Sequence, residues 1–323
     1  MTKDTLEHLR ITTKEEQRLL ADGGMIDKEI YTTSKEFTVD SNKMMEKGRL
    51  IDIRSHTRFI TFPAHKHNYI EIMYMCEGKT EHIINGNTRV IVEKGDLLFM
   101  NQFASHEIAA ALENDIGINF IILPEFFDAV LPMLNQGNAL SNFIISTLRK
   151  DTNVGGYLHY KVADVLPVQN LVENLIWSLL NRQVNYQEVN QTTMGLLFMQ
   201  LVNETDRIEA GNPELSRDIF VMQILKYIEE NYKKGTLADL AEQMSQSTSN
   251  MSKLIKNYTG RNFKDLLQKK RLKQAEYLIG NTYLSITEII YQVGYDNTSY
   301  FHRIFRQAYG MSPKNYRVKN RSI

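Results

Sequence analysis

Three histidines and one glutamate in the first third of the chain have the residue types of a metal site or of a polar binding pocket. His65, His67 and Glu71 lie close together in the sequence, and His106 follows later in the same region. Three imidazoles and a carboxylate suit Zn²⁺, Fe²⁺ or Mn²⁺ and leave coordination positions open for chemistry. The same groups suit the polar wall of a pocket for a small organic molecule. A third interpretation is that His67 and Glu71 form a hydrogen-bonded pair that only ties strands together.

Among these interpretations we expect the pocket for a small organic molecule, with no bound metal and no other cofactor. Its polar groups would suit a sugar or a sugar-derived ligand. The predicted lining combines polar and apolar side chains: His65, His67, Tyr69, Glu71, Met73, Phe99, Phe103 and His106. A metal with a structural or sensing role would use the three histidines and Glu71.

A different chemistry, the recognition of nucleic acid, is indicated by two helix-turn-helix patterns in the last third of the chain. They cover residues 236–260 and 286–310. In each pattern, apolar residues at helical spacing bury one face of two short helices, and the second helix presents polar and basic groups on its other face. Such a helix can enter the major groove, where Lys or Arg contacts guanine and Ser or Thr contacts either type of base.

The residues predicted to face DNA lie on the second helix of each pattern and on a basic connecting helix, Phe263–Ile279. They are Ser249, Ser252, Lys253 and Lys256 in the first pattern, Thr298, Ser299, His302, Arg303 and Arg306 in the second, and Lys269 and Lys270 on the connecting helix. A separation of one DNA turn, about 34 Å, would place both patterns on one face of the duplex.

Charge separates the two halves of the chain, although the net charge is zero. From Ile219 onward there are 17 Lys and Arg against 8 Asp and Glu, a net charge of +9. The rest of the chain has 21 basic and 30 acidic residues, a net charge of −9. This asymmetry predicts a basic domain that meets a polyanion and an acidic domain that does not.

Composition excludes several other classes of protein. The 323 residues are 42% hydrophobic and 24% charged, and they contain a single cysteine, Cys76, so an intrachain disulfide is excluded. No stretch approaches the roughly 18 apolar residues of a membrane span, and the N-terminus lacks the features of a secretory signal. We therefore expect a cytoplasmic protein that does not bind membranes.

The predicted elements give an α+β chain with four segments. Short apolar runs broken by turns, including Asn85-Gly86, predict a small antiparallel β-barrel or sandwich, and two apolar helical stripes follow it. The stripes either pack on the barrel and on each other, or face a second subunit. The segments are an N-terminal arm at 1–45 with little to bury, the barrel at 46–123, a helical linker or dimerisation region of three or four helices at 124–210, and an all-α DNA-binding domain at 219–318 with helix-turn-helix units at about 237–258 and 286–308.

The C-terminal third resembles the AraC-type transcription regulators. The residues that carry the resemblance are Leu240-Ala241, Gly260, Arg271-Leu272, Ala275, Leu278, Ile286, Ile289, Val293-Gly294-Tyr295, Ser299-Tyr300-Phe301, Phe305-Arg306, Gly310-Met-Ser-Pro313 and Tyr316-Arg317. The chain departs from the family pattern at Ile255, Ile290 and Tyr295, and the change at Ile290 puts a larger group at the helix crossing without removing a DNA-facing group. By position, the resemblance implies base contacts from Ser249, Ser252, Lys253, Thr298, Ser299, His302 and Arg303.

The first third resembles the two short motifs of a cupin barrel, with His65, His67, Glu71 and His106 at the four positions that hold the ion in metal-binding cupins. In AraC-type regulators this pattern is common in the effector barrel and usually does not imply catalysis. The resemblance therefore implies a regulator with a cupin-like effector domain, and no enzyme. Two alternatives remain open: a metal-dependent cupin enzyme fused to DNA-binding units, and a regulator switched by a protein partner, which residues 1–45 could serve.

The expected partners are double-stranded DNA, a small-molecule effector and a second copy of the chain, with RNA polymerase as a further candidate. A ligand that enters the barrel would shift the population of molecules that can hold two DNA half-sites at once.

Overall fold

The computed structural model describes residues 1–130, 156–209 and 213–321. The chain divides into two compact units, Met1–Ile219 and Phe220–Ile323. The first unit mixes strands and helices and the second is helical, so the α+β class is confirmed. Within the described residues, no helix combines the length and the apolar character that a membrane span requires.

The first unit starts with helical segments and continues with short strands. In chain order its elements are α1 (Lys3–Arg10), α2 (Lys14–Ala21), a 3₁₀ turn (Lys28–Ile30), β1 (Thr38–Val39), α3 (Ser41–Met44), β2 (Ile51–Ser55), β3 (Phe62–His67), β4 (Ile70–Glu77), β5 (Lys79–Ile84), β6 (Thr88–Glu93), β7 (Leu97–Met100), β8 (His106–Ile108), β9 (Ile116–Ile122), α4 (Phe126–Val130), β10 (Tyr157–Tyr160), α5 (Leu166–Asn181), α6 (Tyr186–Asn203), a 3₁₀ turn (Thr205–Arg207) and β11 (Ile208–Glu209).

The strands form two sheets, which gives a sandwich-like arrangement rather than a closed barrel. One sheet has the order β1-β3-β8-β5-β6 and the other β11-β10-β7-β4-β9-β2. Within the described residues no strand pairing joins the two sheets. The Asn85-Gly86 hairpin between β5 and β6 is confirmed, with φ values of 51° and 75° at these residues. Positive φ at both positions is what a tight hairpin turn demands, and Asn and Gly adopt it at low cost.

Residues 1–45 contribute to the core of the first unit, which differs from the predicted arm with little to bury. Strand β1 pairs in parallel with β3, and Leu19 and Tyr31 pack in one apolar cluster with residues of the sheets. Glu16 on α2 is buried beside Arg58, at an Oε1–Nε distance of 2.7 Å. The segment is therefore anchored by strand pairing, apolar contact and a buried ion pair.

The region predicted to be helical, 124–210, also contains two strands, since β10 and β11 extend the six-stranded sheet. Residues 131–155 and 210–212 of that region lie outside the described residues. The two predicted apolar stripes on α5 and α6 are mostly buried within the unit, with Val172, Ile176, Phe198 and Leu201 fully covered. They pack inside the unit because α5 and α6 contact each other and α6 contacts the sheet through Phe198 and Phe99.

Seven helices contribute to the second unit in its described residues, and the first of them begins before Phe220. They are α7 (Pro213–Asn231), α8 (Leu237–Gln243), α9 (Thr248–Thr259), α10 (Phe263–Asn281), α11 (Ile286–Gln292), α12 (Thr298–Tyr309) and α13 (Pro313–Arg321). Helices α8 and α9 form the first helix-turn-helix pair, and α11 and α12 form the second. Helix α10 is the predicted connecting helix and continues two residues beyond the predicted end at Ile279.

Two apolar clusters stabilise this unit, one under each helix pair, and α10 belongs to both. Phe263 and Leu267 lie in the first cluster, whereas Leu272 and Ala275 lie in the second. Arg271, between them on α10, donates hydrogen bonds from Nε to the Tyr232 carbonyl at 2.6 Å and from Nη2 to the Lys233 carbonyl at 2.9 Å. One rigid helix therefore fixes the position of each helix pair relative to the other.

Candidate functional site

A small cavity of about 60 Å³ lies in the first unit, between residues of both sheets and of the N-terminal segment. Its lining residues are Glu15, Tyr31, Val39, Met44, Arg54, Ser55, His56, Thr57, Phe62, His65, His67, Tyr69, Glu71, Ile108, Asn119 and Ile121. The lining combines charged, polar and apolar side chains, as a pocket for a small organic molecule does.

The structure brings the four predicted polar residues together on three strands. His65 and His67 lie on β3, Glu71 on β4 and His106 on β8, with His65 directly opposite His106 in the strand register. The Nε2 atoms of His65 and His106 are 2.9 Å apart. The Glu71 carboxylate lies 3.7 Å from Nε2 of His67 through Oε1 and 3.7 Å from Nε2 of His106 through Oε2.

Burial determines the protonation of this cluster. It lowers the pKa of His65 to about 4 and holds the pKa values of His67 and His106 well below that of a free imidazole. It also raises the pKa of Glu71 to about 8, since a carboxylate loses its hydration there. The three imidazoles are therefore neutral at pH 7, and each keeps one nitrogen lone pair.

Two further histidines and a charged pair adjoin the cluster, and none of them was predicted from the sequence. His82 on β5 is buried, with Nδ1 3.0 Å from Nδ1 of His106, and His56 lines the cavity. Every second residue of β5 is buried, and His82 is one of them. An alternating pattern in the sequence was therefore the signal that could have identified it as an inward-facing residue. Arg54 pairs with Glu15, far away in the sequence, and no local pattern could reveal that contact.

Not all of the residues predicted to line the pocket face this cavity. Tyr69 lines the cavity, but Met73, Phe99 and Phe103 do not. Phe99 pairs in register with Ile72, on the sheet face opposite Glu71. It packs edge-to-face against Phe198 of α6 and Tyr160 of β10. Phe99 therefore belongs to the packing between helix and sheet. Met73 is a fully buried residue of β4, and Phe103 is half-buried in a turn.

In the second unit, the recognition helices α9 and α12 begin and end in matching ways. Ser247 and Asn297 cap their N-termini through hydrogen bonds from the backbone N–H three residues later. Gly260 and Gly310 end them with φ values of 70° and 73°, which glycine adopts without steric cost. The two helices are therefore equivalent in length and in the direction of their side chains.

The predicted base-contacting residues occupy the outer faces of these helices. Ser249, Ser252, Lys253 and Lys256 on α9 are exposed, as are Ser299, His302, Arg303 and Arg306 on α12, whereas Thr298 is half-buried. The guanidinium of Arg303 lies over the ring of Tyr300, 5.3 Å from its centroid. This contact holds Arg303 in a defined direction, and Lys253 at the equivalent position of α9 has no such aromatic neighbour among the described residues.

The two lysines predicted to contact phosphates differ in the structure. Lys269 on α10 is exposed, but Lys270 is half-buried and forms an ion pair with Glu229 of α7. The Lys270 ammonium also lies 5.7 Å from the ring centroid of Tyr232. Lys269 is therefore the better placed cation for a phosphate, because Lys270 is already engaged within the protein.

Comparison with known proteins assigns both units. Residues 53–127 match the family model of an AraC-like ligand binding domain, and residues 240–319 match that of a helix-turn-helix domain. The HTH-type transcriptional activator RhaS of Mannheimia succiniciproducens is 24% identical over 260 residues, 80% of this chain and 90% of that protein. The HTH-type transcriptional regulator YdeC of Bacillus subtilis is 24% identical over 309 residues, 88% of this chain and 99% of that protein.

Among solved structures, the C-terminal domain of the two-component response regulator yesN from Fusobacterium nucleatum is 36% identical, with a TM-score of 0.28, and the match covers 29% of this chain and 93% of that domain. The family models and the two relatives agree with the doubled helix-turn-helix pair and with the β-rich unit before it. This chain belongs to the AraC-type family of DNA-binding transcription regulators, with a ligand-binding domain N-terminal to its DNA-binding helices.

Proposed function

We propose that this regulator recognises its operator through α9 and α12, activates transcription, and changes its DNA affinity when a small molecule binds in the first unit. The observation that carries the proposal is the pair of matched helices, each presenting exposed hydroxyl and basic groups from its N-terminal turns. Activation is supported by the relative RhaS, which is named an activator. Such a regulator meets its operator in the cytoplasm.

The effector would bind at the cavity between the sheets and the N-terminal segment. Arg54, Glu15, Asn119 and the histidines give this cavity many hydrogen-bonding groups, which suit a small hydroxylated molecule such as a sugar. Tyr31 and Met44 of the N-terminal segment line this cavity beside residues of the sheets, so a bound ligand would contact that segment directly. A ligand that binds one packing of the segment better than another then shifts the population towards it.

A homodimer and RNA polymerase are the further partners that we propose. We propose no catalytic role for the histidine cluster, because the relatives are transcriptional regulators. If the protein were a metal-dependent enzyme, it would turn over an added substrate. If it were a regulator switched only by a protein partner, no small molecule would act as its effector.

The test has two steps. DNA fragments selected from a random pool by the full chain should share a sequence, and a fluorescence anisotropy titration should show at least about 1,000-fold tighter binding to it than to unrelated DNA. A metabolite screen by thermal shift should then find a compound with saturable stabilisation, and that compound should alter the DNA affinity. Equal affinity for all sequences, or a stabilising ligand without effect on DNA binding, would refute the proposal.

A further inference from the structure

We propose that a second cavity of the first unit, beside β6, β10 and β11, binds a small organic amine through the carboxylates of Glu93 and Glu209. This goes beyond the proposed function, which places its effector in the cavity beside the histidine cluster. The second cavity has a volume of about 360 Å³. It is lined by Arg89, Val90, Ile91, Glu93, Tyr157, His159, Lys161 and Glu209, and it shares none of these described residues with the first cavity.

This second cavity lies where both sheets end. Strand β6 is the last strand of the five-stranded sheet, and β11 is the last strand of the six-stranded sheet, with β10 next to it. His159 of β10 lies directly opposite Glu209 of β11 in the strand register. Lys161 follows β10 and donates its backbone N–H to the Arg207 carbonyl oxygen at 3.0 Å. The backbone of paired strands therefore positions the charged side chains of the site.

Negative charge exceeds positive charge around the Lys161 ammonium. Its Nζ lies 3.3 Å from Oδ2 of Asp96, 3.5 Å from Oε2 of Glu93 and 3.9 Å from Oε1 of Glu209. Three carboxylates thus share one ammonium group. A second cation placed among them would be attracted by the uncompensated charge, which favours a positively charged ligand.

His159 supplies a second and independent reason for a ligand that donates hydrogen bonds. Its ring is buried, and Nε2 donates to Oδ2 of Asp96 at 3.1 Å. In the neutral imidazole, Nδ1 then keeps a lone pair. This nitrogen is buried and has no hydrogen-bond partner among the described residues, although Oε2 of Glu209 lies only 3.3 Å away. Two acceptors therefore face each other, and an ammonium group, with three donors, can bond to both.

The rest of the lining also favours an amine over an anion. Arg89 is the other cation of the cavity, but its guanidinium already pairs with Glu81 through two hydrogen bonds of 2.6 and 2.7 Å. Val90, Ile91 and the ring of Tyr157 provide apolar surface. A primary amine on a short carbon chain matches both the charged and the apolar parts of this lining.

Ligand-observed nuclear magnetic resonance with the full chain tests the proposal, and butylamine is the probe. Its amino group is protonated at neutral pH, as that of lysine is. Butanol and butyrate are the matched controls, because they carry a neutral or an anionic group on a similar carbon chain. We expect saturable binding of butylamine and no saturable binding of the two controls.

Variants of the lining locate the bound amine. Glu209→Gln keeps the size of the side chain and should weaken butylamine binding at least about tenfold, because a hydrogen bond to a charged group is lost. His159→Phe should also weaken it. Lys161→Met should strengthen it, since the competing ammonium is removed. Glu107→Gln is the control and should bind as the wild type does, because Glu107 is an exposed glutamate of β8 outside the cavity.

Three results would overturn the amine site. They are equal binding of butylamine and butanol, wild-type affinity for butylamine in Glu209→Gln, and absence of butylamine binding to a chain that still binds its DNA. Glu209 is 62% exposed, so Glu209→Gln decides the question if His159→Phe fails to fold. An effector from the metabolite screen that binds Glu209→Gln as it binds the wild type would belong to the first cavity, and the regulatory function would stand without the amine site.

Discussion

Arg303 and Lys253 occupy equivalent positions in the two recognition helices but differ in how firmly they are held. Arg303 lies over the ring of Tyr300, whereas Lys253 is exposed and has no ion pair within the described residues. A planar guanidinium held in this way presents two parallel N–H donors to guanine in a fixed geometry, whereas a lysine ammonium is a point charge on a flexible chain. The second recognition helix should therefore discriminate between bases at least as strongly as the first.

Arg303→Ala should consequently weaken binding to the preferred sequence by about 1–3 kcal/mol and relax the preference at one base position. Competition titrations with operator variants that differ at single positions would measure this loss. Lys253→Ala is the matched comparison in the first helix and should cost less. Equal weakening of Arg303→Ala on all sequences would remove the assigned role.

Lys269 and Lys270 provide a second comparison between adjacent residues. Lys269→Ala should weaken binding on every sequence and reduce the slope of log affinity against log salt by about one, because Lys269 is exposed and available to a phosphate. Lys270→Ala should leave the slope nearly unchanged, since Lys270 is paired with Glu229. Anisotropy titrations at several salt concentrations distinguish the two, and identical slopes for both variants would contradict the structural distinction.

At the scale of elements, the turn of the second helix pair is more constrained than the turn of the first. Gly294 has a φ of +90°, and a Cβ there would lie 2.3 Å from the Lys233 carbonyl oxygen. The corresponding turn of the first pair uses Ser245, with a φ of 51°. Only the second turn requires glycine for close approach of another backbone segment.

Gly294→Ala should therefore destabilise the protein by at least about 2 kcal/mol, from backbone strain and the clash together. Gly280→Ala is the control: Gly280 lies within helix α10, and an alanine Cβ there would meet open space, so alanine should stabilise by about 0.5–1 kcal/mol. Urea unfolding of both variants provides the measurement. A neutral Gly294→Ala would show that the segment around Lys233 moves freely.

The ion pair of Glu16 and Arg58 fixes α2 to the β-rich unit and makes a prediction about pH. Burial alone would raise the pKa of Glu16, but the hydrogen bonds from Arg58 and the Thr13 backbone, with the Arg58 charge, lower it overall. A lowered pKa in the folded state means stability that is present above the unfolded pKa of about 4.5 and lost as the pH falls through the folded value.

Glu16→Gln should thus cost about 3 kcal/mol at pH 7, because it leaves the Arg58 charge buried without a counter-charge. The difference from wild type should shrink below the unfolded pKa of about 4.5. Glu36→Gln, at an exposed glutamate, should have little effect at any pH. A stability difference between Glu16→Gln and wild type that is independent of pH would argue against ionised Glu16 in the fold.

The features that could be predicted well from the sequence are those with local causes. Ser247 caps α9 through its own side chain, Gly260 and Gly294 act through their own backbone conformation, and the apolar spacing of α9 and α12 is visible over a dozen residues. The failures depend on distant partners. Phe99 was predicted to line the pocket but lies on the other face of the sheet, because alternation defines two faces without showing which of them meets the cavity. Glu15 reaches the cavity only through the packing of α2.

At the scale of the whole molecule, dimerisation would allow four recognition helices to engage two half-sites. The structure points to a different surface for such a dimer than the apolar stripes predicted from the sequence. The predicted stripes are mostly buried within the first unit, so they are unavailable to a partner. Helix α6 instead carries an exposed apolar line at helical spacing, consisting of Val189, Leu196 and Met199, which are 49%, 45% and 37% exposed. A second copy of the chain that packs this line against its own would remove all three residues from water.

Leu196→Glu should then shift the protein from dimer to monomer in sedimentation velocity, because two carboxylates would face each other across the interface. Its affinity for a two-site operator should fall more than its affinity for a single half-site, since the linked second contact is lost. Leu20→Glu changes a leucine of similar exposure, 53%, on α2 and should leave both measurements unchanged. A Leu196→Glu protein that sediments as the wild type would exclude this face of α6 as the interface, and the DNA-binding helices would then have to be paired through another surface.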